Sequence, residues 1–317
     1  MGKVIEVINL SKNYGKLKAV DKISFSVEKG EVFGLLGENG AGKTTTLEII
    51  EGLRKPTSGE INVLGHSIKN DLTSIKEKIG VQLQSSAYFE FLKLSEILDL
   101  FGSFYPKQVD SSKLFKMVAL EHKADQYVQN LSGGQKQRFS IIASLINDPE
   151  IVFLDEPTTG LDPVARRNTW DIISQIKGQG KTIVLTTHYM EEAEILCDHV
   201  AIMEKGKIVA QDETHKLISR AKHPFKINFV LSKDNKSLIE DLETKCKMDK
   251  CDVTKFPGKE THYELKLQSQ EELNIALALV QKQNPESLTV SKASLEDLFI
   301  ELTGKKIEDE TENVIND

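Results

Sequence analysis

Apolar and polar positions alternate with period two along Val4–Ile8 and again along Ile23–Val27, with the turn-rich SKNYGKLK between them, so the chain opens on a predicted antiparallel pair. Val32–Leu36 is a short continuous apolar run with a glycine-rich exit, the pattern of a buried strand, and a helix is expected from about Lys43 to Gly52. From about 86 to 130 the period lengthens to that of a helix, with Leu92, Ile97, Leu98 and Phe101, then Leu114, Val118 and Leu120, on apolar faces. Helices over Ser132–Asn147, Pro163–Lys177 and Tyr189–Cys197 then alternate with buried strands at Ile151–Leu154 and Thr182–Thr186, and Val200–Glu204 with Lys207–Ala210 reads as a closing hairpin. Strands alternating with helices imply an open parallel sheet covered on both faces, with the leading antiparallel strands expected on one edge.

The basic, polar stretch Lys216–Pro224 reads as a domain boundary, placing one domain at 1–222, with its helical subdomain at about 86–130, and a second at 223–304. The second domain runs strand Lys226–Leu231, helix Ser237–Lys247, strands at about Asp252–Phe256 and Tyr263–Leu267, helix Glu271–Gln281, strand Ser287–Val290. That is the βαββαβ order of a small ferredoxin-like α+β domain, closed by an amphipathic helix over Leu295–Leu302. Residues 305–317 form an acidic tail with few apolar positions and read as disordered.

Composition narrows the function. The 41 basic and 48 acidic side chains of the 317 residues leave a net charge of −7, which argues against a nucleic-acid partner gripped by a basic face. No run approaches the ~18 consecutive apolar residues of a membrane helix. The first ten residues alternate like a strand rather than a signal peptide. Three scattered cysteines, Cys197, Cys246 and Cys251, suit a reducing compartment, and no histidine or further cysteine pair supports a metal at the last two.

Two stretches carry phosphate chemistry. Gly37-Glu38-Asn39-Gly40-Ala41-Gly42-Lys43-Thr44 fits G-x-x-x-x-G-K-T between a predicted strand and a helix. Small residues let the N–H groups of Gly40, Ala41, Gly42 and Lys43 turn toward phosphate oxygens at the positive end of a helix. Lys43 would neutralise the β- and γ-phosphates, Thr44 would ligate Mg²⁺ and Thr45 would bond the α-phosphate. Asp155-Glu156 ends an apolar strand and so delivers two carboxylates to the carboxyl edge of the sheet, Asp155 toward Mg²⁺ and Glu156 as the general base. A phosphate loop alone serves kinases, GTPases and motors alike. The discriminating feature is Leu131-Ser132-Gly133-Gly134-Gln135, which opens a second helix with a second anion-binding terminus. Two phosphate grips in one small domain are most simply reconciled by a head-to-tail dimer, each chain closing over the other's nucleotide.

With the following TTGLD and TTH in the same order, residues 3–220 resemble the ATP-binding subunit of an ATP-binding-cassette (ABC) transporter. The resemblance implies a P-loop NTPase (RecA-like) cassette that hydrolyses ATP with Mg²⁺. By position it places adenine against Tyr14, which otherwise reads as a loop tyrosine. It assigns the metal- and water-binding glutamine to Gln84, with Gln82 as the alternative. Asp162 would contact the partner's phosphate loop, or simply cap the helix at Pro163, and His188 would act as the switch histidine on the γ-phosphate. YMEEAEILCDHVAIM, GKIVAQDE and SLEDLFIELTG are similar to drug- and antibiotic-exporter ATPases. The partners so implied are a separate polytopic permease and a second copy or paralogue of this subunit, at the cytoplasmic face of the membrane. A non-transport ABC ATPase acting on a macromolecular complex is the alternative. The C-terminal domain is expected to be a spacer or dimer-stabilising module, with ligand sensing as the rival.

Overall fold

The computed structural model describes residues 2–82, 88–232, 235–246, 252–255 and 261–304. Gln84, Cys251 and the acidic tail lie outside them. The chain divides into two compact units between Thr214 and His215, a little N-terminal of the expected boundary. Among the described residues no helix is long and apolar enough to cross a membrane.

The first unit is built on a six-stranded sheet in the spatial order Lys207–Glu213, His199–Glu204, Val32–Leu36, Thr182–Thr187, Ile151–Asp155, Ile79–Gln82. The last five run parallel, and Lys207–Glu213 turns back antiparallel at one edge. Every residue of Val32–Leu36, Ile151–Asp155 and Thr182–Thr187 is buried, as a parallel sheet covered on both faces requires. Parallel register sets the functional edge. Leu36 pairs beside Thr187 and Asp155 beside Thr186, so the three carboxyl ends, and the segments that leave them, emerge next to one another.

The leading strands do not extend this sheet's edge. Lys3–Tyr14 and Leu17–Glu28 join Ser58–Val63 and His66–Ser67 in an antiparallel sheet of their own. The hairpin His199–Glu213 already occupies that edge, and the period-two pattern gives the leading strands one apolar face to bury. Ile5, Val7 and Ile23 share a core with Leu47 and Ile49 of the helix Lys43–Ile50 and with Phe33, Phe153 and Val184 of the parallel sheet. Most of SKNYGKLK is strand, and the turn shrinks to Gly15-Lys16 between the paired Tyr14 and Leu17. The helical insertion holds helices Leu94–Gly102 and Ser111–Met117. The helix expected over Ser132–Asn147 is shorter, Gly133–Ala143.

In the second unit four antiparallel strands stand in the order Asp252–Lys255, Thr261–Leu267, Phe225–Leu231, Ser287–Lys292. Helices Lys236–Lys245 and Gln270–Gln281 supply Leu238, Leu242, Leu273, Ala276 and Val280 to a core with Ile227, Phe229, Tyr263 and Leu265. Phe229 and Tyr263 stack at 4.7 Å between ring centroids. The chain order is βαββαβ with the first and third strands central, the ferredoxin-like arrangement.

Candidate active site

The helix Lys43–Ile50 starts at Gly42, which has a φ of 102° and whose helix has no side-chain cap, so its first N–H groups remain available to an anion. Glycine is obligatory at two points of the loop. A Cβ on Gly37 (φ 152°) would sit 2.3 Å from the Met203 carbonyl oxygen, and one on Gly42 would sit 2.4 Å from that of Ala19. Ala41 N–H donates to the Glu38 carbonyl at 3.1 Å, closing a turn within the loop. Lys43 folds back over it: Nζ donates to the carbonyls of Gly37 (2.8 Å) and Glu38 (3.2 Å) and lies 3.4 Å from Glu156 Oε1. Burial draws the Lys43 pKa below its ordinary value, with Glu156 and then Asp155 opposing.

Thr44 Oγ1 donates to Asp155 Oδ1 at 3.2 Å, and Thr186 Oγ1 donates to the same oxygen. Burial raises the Asp155 pKa against these two bonds. A hydroxyl and a carboxylate converging at the sheet edge are hard oxygen donors of the kind Mg²⁺ takes alongside substrate phosphates, so the residues fit that ion. Glu156 has a φ of 49° and its N–H donates to Thr186 Oγ1 at 3.0 Å, which pins its backbone out of the strand. Its Oε2 accepts from Thr159 Oγ1 at 3.0 Å and lies 3.5 Å from Nδ1 of the buried His188. His188 and then Lys43 hold the Glu156 carboxyl down at about 2, against the effect of burial.

The structure therefore brings Lys43, Thr44, Asp155, Glu156 and His188 together. Ser132 and Asp162 are engaged elsewhere in the single chain. Ser132 Oγ accepts from Gln135 N at 3.4 Å while Gln135 Oε1 accepts from Ser132 N at 3.0 Å, a reciprocal cap. Ser132 and Gly133 are exposed and Gly134 is half-buried. Asp162 Oδ1 accepts from Val164 N and Ala165 N, both at 2.9 Å, which is the helix-cap alternative. Tyr14 ends the first strand with its ring 41% exposed and its hydroxyl accepting from Arg54 Nη1 at 3.2 Å. Gln84 lies outside the described residues. Gln82 closes its strand at the same edge, buried.

Sequence reasoning missed Thr159 and Thr186, which orient the two carboxylates, and Glu51. Both Glu51 oxygens are buried without a hydrogen-bond partner among the described residues, and burial with help from Asp155 pushes the carboxyl up to about 8. Thr159 and Thr186 stood inside the quoted TTGLD and TTH stretches. Glu51 gave no signal.

The ABC transporter family model matches residues 20–159, the stretch that carries the phosphate loop, the LSGGQ segment and Asp155-Glu156. The linearmycin resistance ATP-binding protein LnrL of Bacillus subtilis is 34% identical over 317 residues, covering 96% of this chain and 100% of that one. The chain belongs to the ABC transporter family. The Nod factor export ATP-binding protein I of Ralstonia nicotianae is 41% identical over 221 residues, 68% of this chain and 69% of the relative. Among solved structures, a dimeric bacterial ABC transporter cassette superposes with a TM-score of 0.61 at 28% identity, covering 66% of this chain and 98% of that one. A post-hydrolysis dimeric cassette bound to ADP and Pi superposes at 0.60, with 27% identity and the same two coverages. This ABC subunit is accordingly an ATPase with an ATP-binding cassette fold, in a family whose cassettes dimerise and serve membrane transporters.

Proposed function

We propose that this subunit powers an exporter, hydrolysing ATP at the edge where Glu156 meets His188 and Lys43. The observation that carries the proposal is the Glu156 carboxylate, ionised and bounded by Lys43 at 3.4 Å and His188 at 3.5 Å, beside the Thr44–Asp155 pair. Relatives named for Nod factor export and for linearmycin resistance support export as the direction, and drugs, antibiotics or other lipophilic compounds as the cargo class.

ATP lies along Gly37–Thr45 with adenine on Tyr14. Lys43 leaves the Gly37 and Glu38 carbonyls for the β- and γ-phosphates. That movement withdraws one cation from Glu156, raises its pKa and makes it a better acceptor for the proton of the attacking water. His188, on the other side of Glu156, donates to the γ-phosphate. Thr44, Asp155 and Gln84 would hold Mg²⁺, which when bound neutralises charge developing on the phosphates. Ser132, Gly133, Gly134 and Gln135 of a second copy or paralogue close over the γ-phosphate, and Asp162 meets the partner's phosphate loop. The exposure of Ser132 and Gly133 in the single chain supports that role. ATP binds the closed dimer better than the open one, and this difference in affinity is what can do work on the permease.

The permease side of the cassette is a cleft of about 450 Å³ between the parallel sheet's edge and the helical insertion, lined by Leu53, Val81, Tyr88, Phe101, Phe104 and Ala143. Leu53 and Phe104 are 51% and 71% exposed, apolar surface suited to a segment of a separate polytopic partner at the inner face of the membrane. Single-turnover hydrolysis tests the proposal. Glu156→Gln should bind ATP normally and fail to cleave it, whereas cleavage near the wild-type rate removes Glu156 as the base.

A further inference from the structure

Glu192 lies in the first turn of the helix Met190–Leu196 and is fully buried. Its Oε1 accepts two hydrogen bonds, from Thr158 Oγ1 at 2.8 Å and from Trp170 Nε1 at 3.1 Å. The two donors come from different segments. Thr158 belongs to the loop that runs from Glu156 to Asp162, and Trp170 lies on the helix Pro163–Gly178 that Asp162 caps. Glu192 itself follows His188 by four positions, in the helix that opens just after that histidine. One carboxylate oxygen thus joins the three segments that carry Glu156, His188 and Asp162.

The contacts close on themselves. Thr159, next to Thr158, donates to Glu156 Oε2, and His188 Nδ1 lies 3.5 Å from that same oxygen. A second tie runs alongside: the Arg166 guanidinium sits 4.3 Å over the Tyr189 ring, whose centroid is 4.1 Å from that of His188. Burying an acid is costly, and an apolar side chain of similar volume would fill the space at lower cost. What the carboxylate adds is an acceptor able to hold a hydroxyl and an indole N–H at once. Leu161 N–H donates back to the Thr158 carbonyl at 3.2 Å, so fixing Thr158 also fixes the approach to Asp162.

We propose that Glu192 is a positioning residue, tying the Glu156–Asp162 loop to the His188 segment so that the base and the histidine hold one register through the hydrolytic step. This rests on the roles given above to Glu156 and His188. Glu192 touches no reacting atom. Its loss should therefore slow the chemical step and leave nucleotide binding by the single chain in place, because small misplacements of catalytic groups are costly to rate.

The test measures kcat, KM, ATP affinity and thermal stability on the full chain. Glu192→Ala should lower kcat by about tenfold or more with ATP affinity within about twofold of wild type. Glu192→Gln keeps an acceptor oxygen and should recover most of that loss. Thr158→Val leaves the carboxylate in place, should lower kcat by about threefold or more, and should add little in combination with Glu192→Ala, since both break one tie. A Glu192→Ala chain with wild-type kcat overturns the proposal, as does a glutamine variant as impaired as alanine. If Glu192→Ala does not fold, Thr158→Val and Trp170→Phe carry the test, and wild-type kcat in both overturns it. Glu156→Gln run in parallel separates the failures. If that variant hydrolyses ATP, the base assignment has failed; if it is inactive while the Glu192 and Thr158 variants are normal, only the positioning role has failed.

Discussion

Lys43 Nζ stands 3.4 Å from Glu156 Oε1, with both side chains buried. The lysine also donates to two loop carbonyls, and with His188 it keeps the Glu156 carboxyl ionised. In the proposed function, phosphate would replace Glu156 as its anionic partner. Lys43→Met should weaken ATP binding by about 1.5–3 kcal/mol, the worth of charged hydrogen bonds, measured by nucleotide titration. Unchanged affinity would mean that the lysine stays on Glu156.

Thr44 and Asp155 share a hydrogen bond although 111 positions separate them in the chain. Thr44→Val and Asp155→Asn should each raise the Mg²⁺ concentration for half-maximal hydrolysis by about tenfold or more. Metal-free ATP binding should change far less in both. Equal loss with and without Mg²⁺ would move these residues out of the metal site.

Glu51 and Glu156 should respond to pH with opposite signs. Glu51 is shifted from an ordinary 4.5 up to about 8, so its carboxyl costs no stability below pH 4.5 and destabilises increasingly as pH rises toward 8. Glu156 is shifted from 4.5 down to about 2, so its contribution is present above pH 4.5 and lost as pH falls toward 2. Glu51→Gln should match wild type near pH 4.5 and gain on the order of 1–3 kcal/mol by pH 8 in denaturant titrations. A gain independent of pH would contradict the raised pKa.

Tyr14 offers a half-exposed ring and a hydroxyl bonded to Arg54. Tyr14→Ala should weaken ATP binding by about 1–3 kcal/mol, the usual worth of a base–aromatic stack. Tyr14→Phe should stay close to wild type, since the ring does the stacking. A phenylalanine variant as weak as alanine would assign the effect to the hydroxyl.

The parts of the site that are legible in the sequence are those fixed by local backbone. A phosphate loop between an apolar strand and a helix, acids at a strand end and a histidine after a third strand all fall on one sheet edge once the strands are parallel. Ser132 and Asp162 were legible as helix caps for the same local reason. Period-two alternation in Val4–Ile8 reveals a buried face without saying what it packs against, and the leading strands accordingly form their own sheet. The acids at Glu51 and Glu192 were opaque because burial is decided by distant segments: in MEEAE the buried Glu192 stands next to the exposed Glu191. Polar residues that serve a site from behind leave no pattern in the chain.

Whether this ATPase drives a membrane exporter is decided by capturing its partner. The Glu156→Gln chain, expressed in its native host and held with ATP and Mg²⁺, would be pulled from membranes solubilised in mild detergent and its companions identified and quantified. A polytopic membrane protein in near one-to-one amount is the expected result and identifies the permease whose cargo to test. Ribosomal subunits or another soluble complex, with no membrane protein, would contradict that role and make the chain a non-transport ABC ATPase.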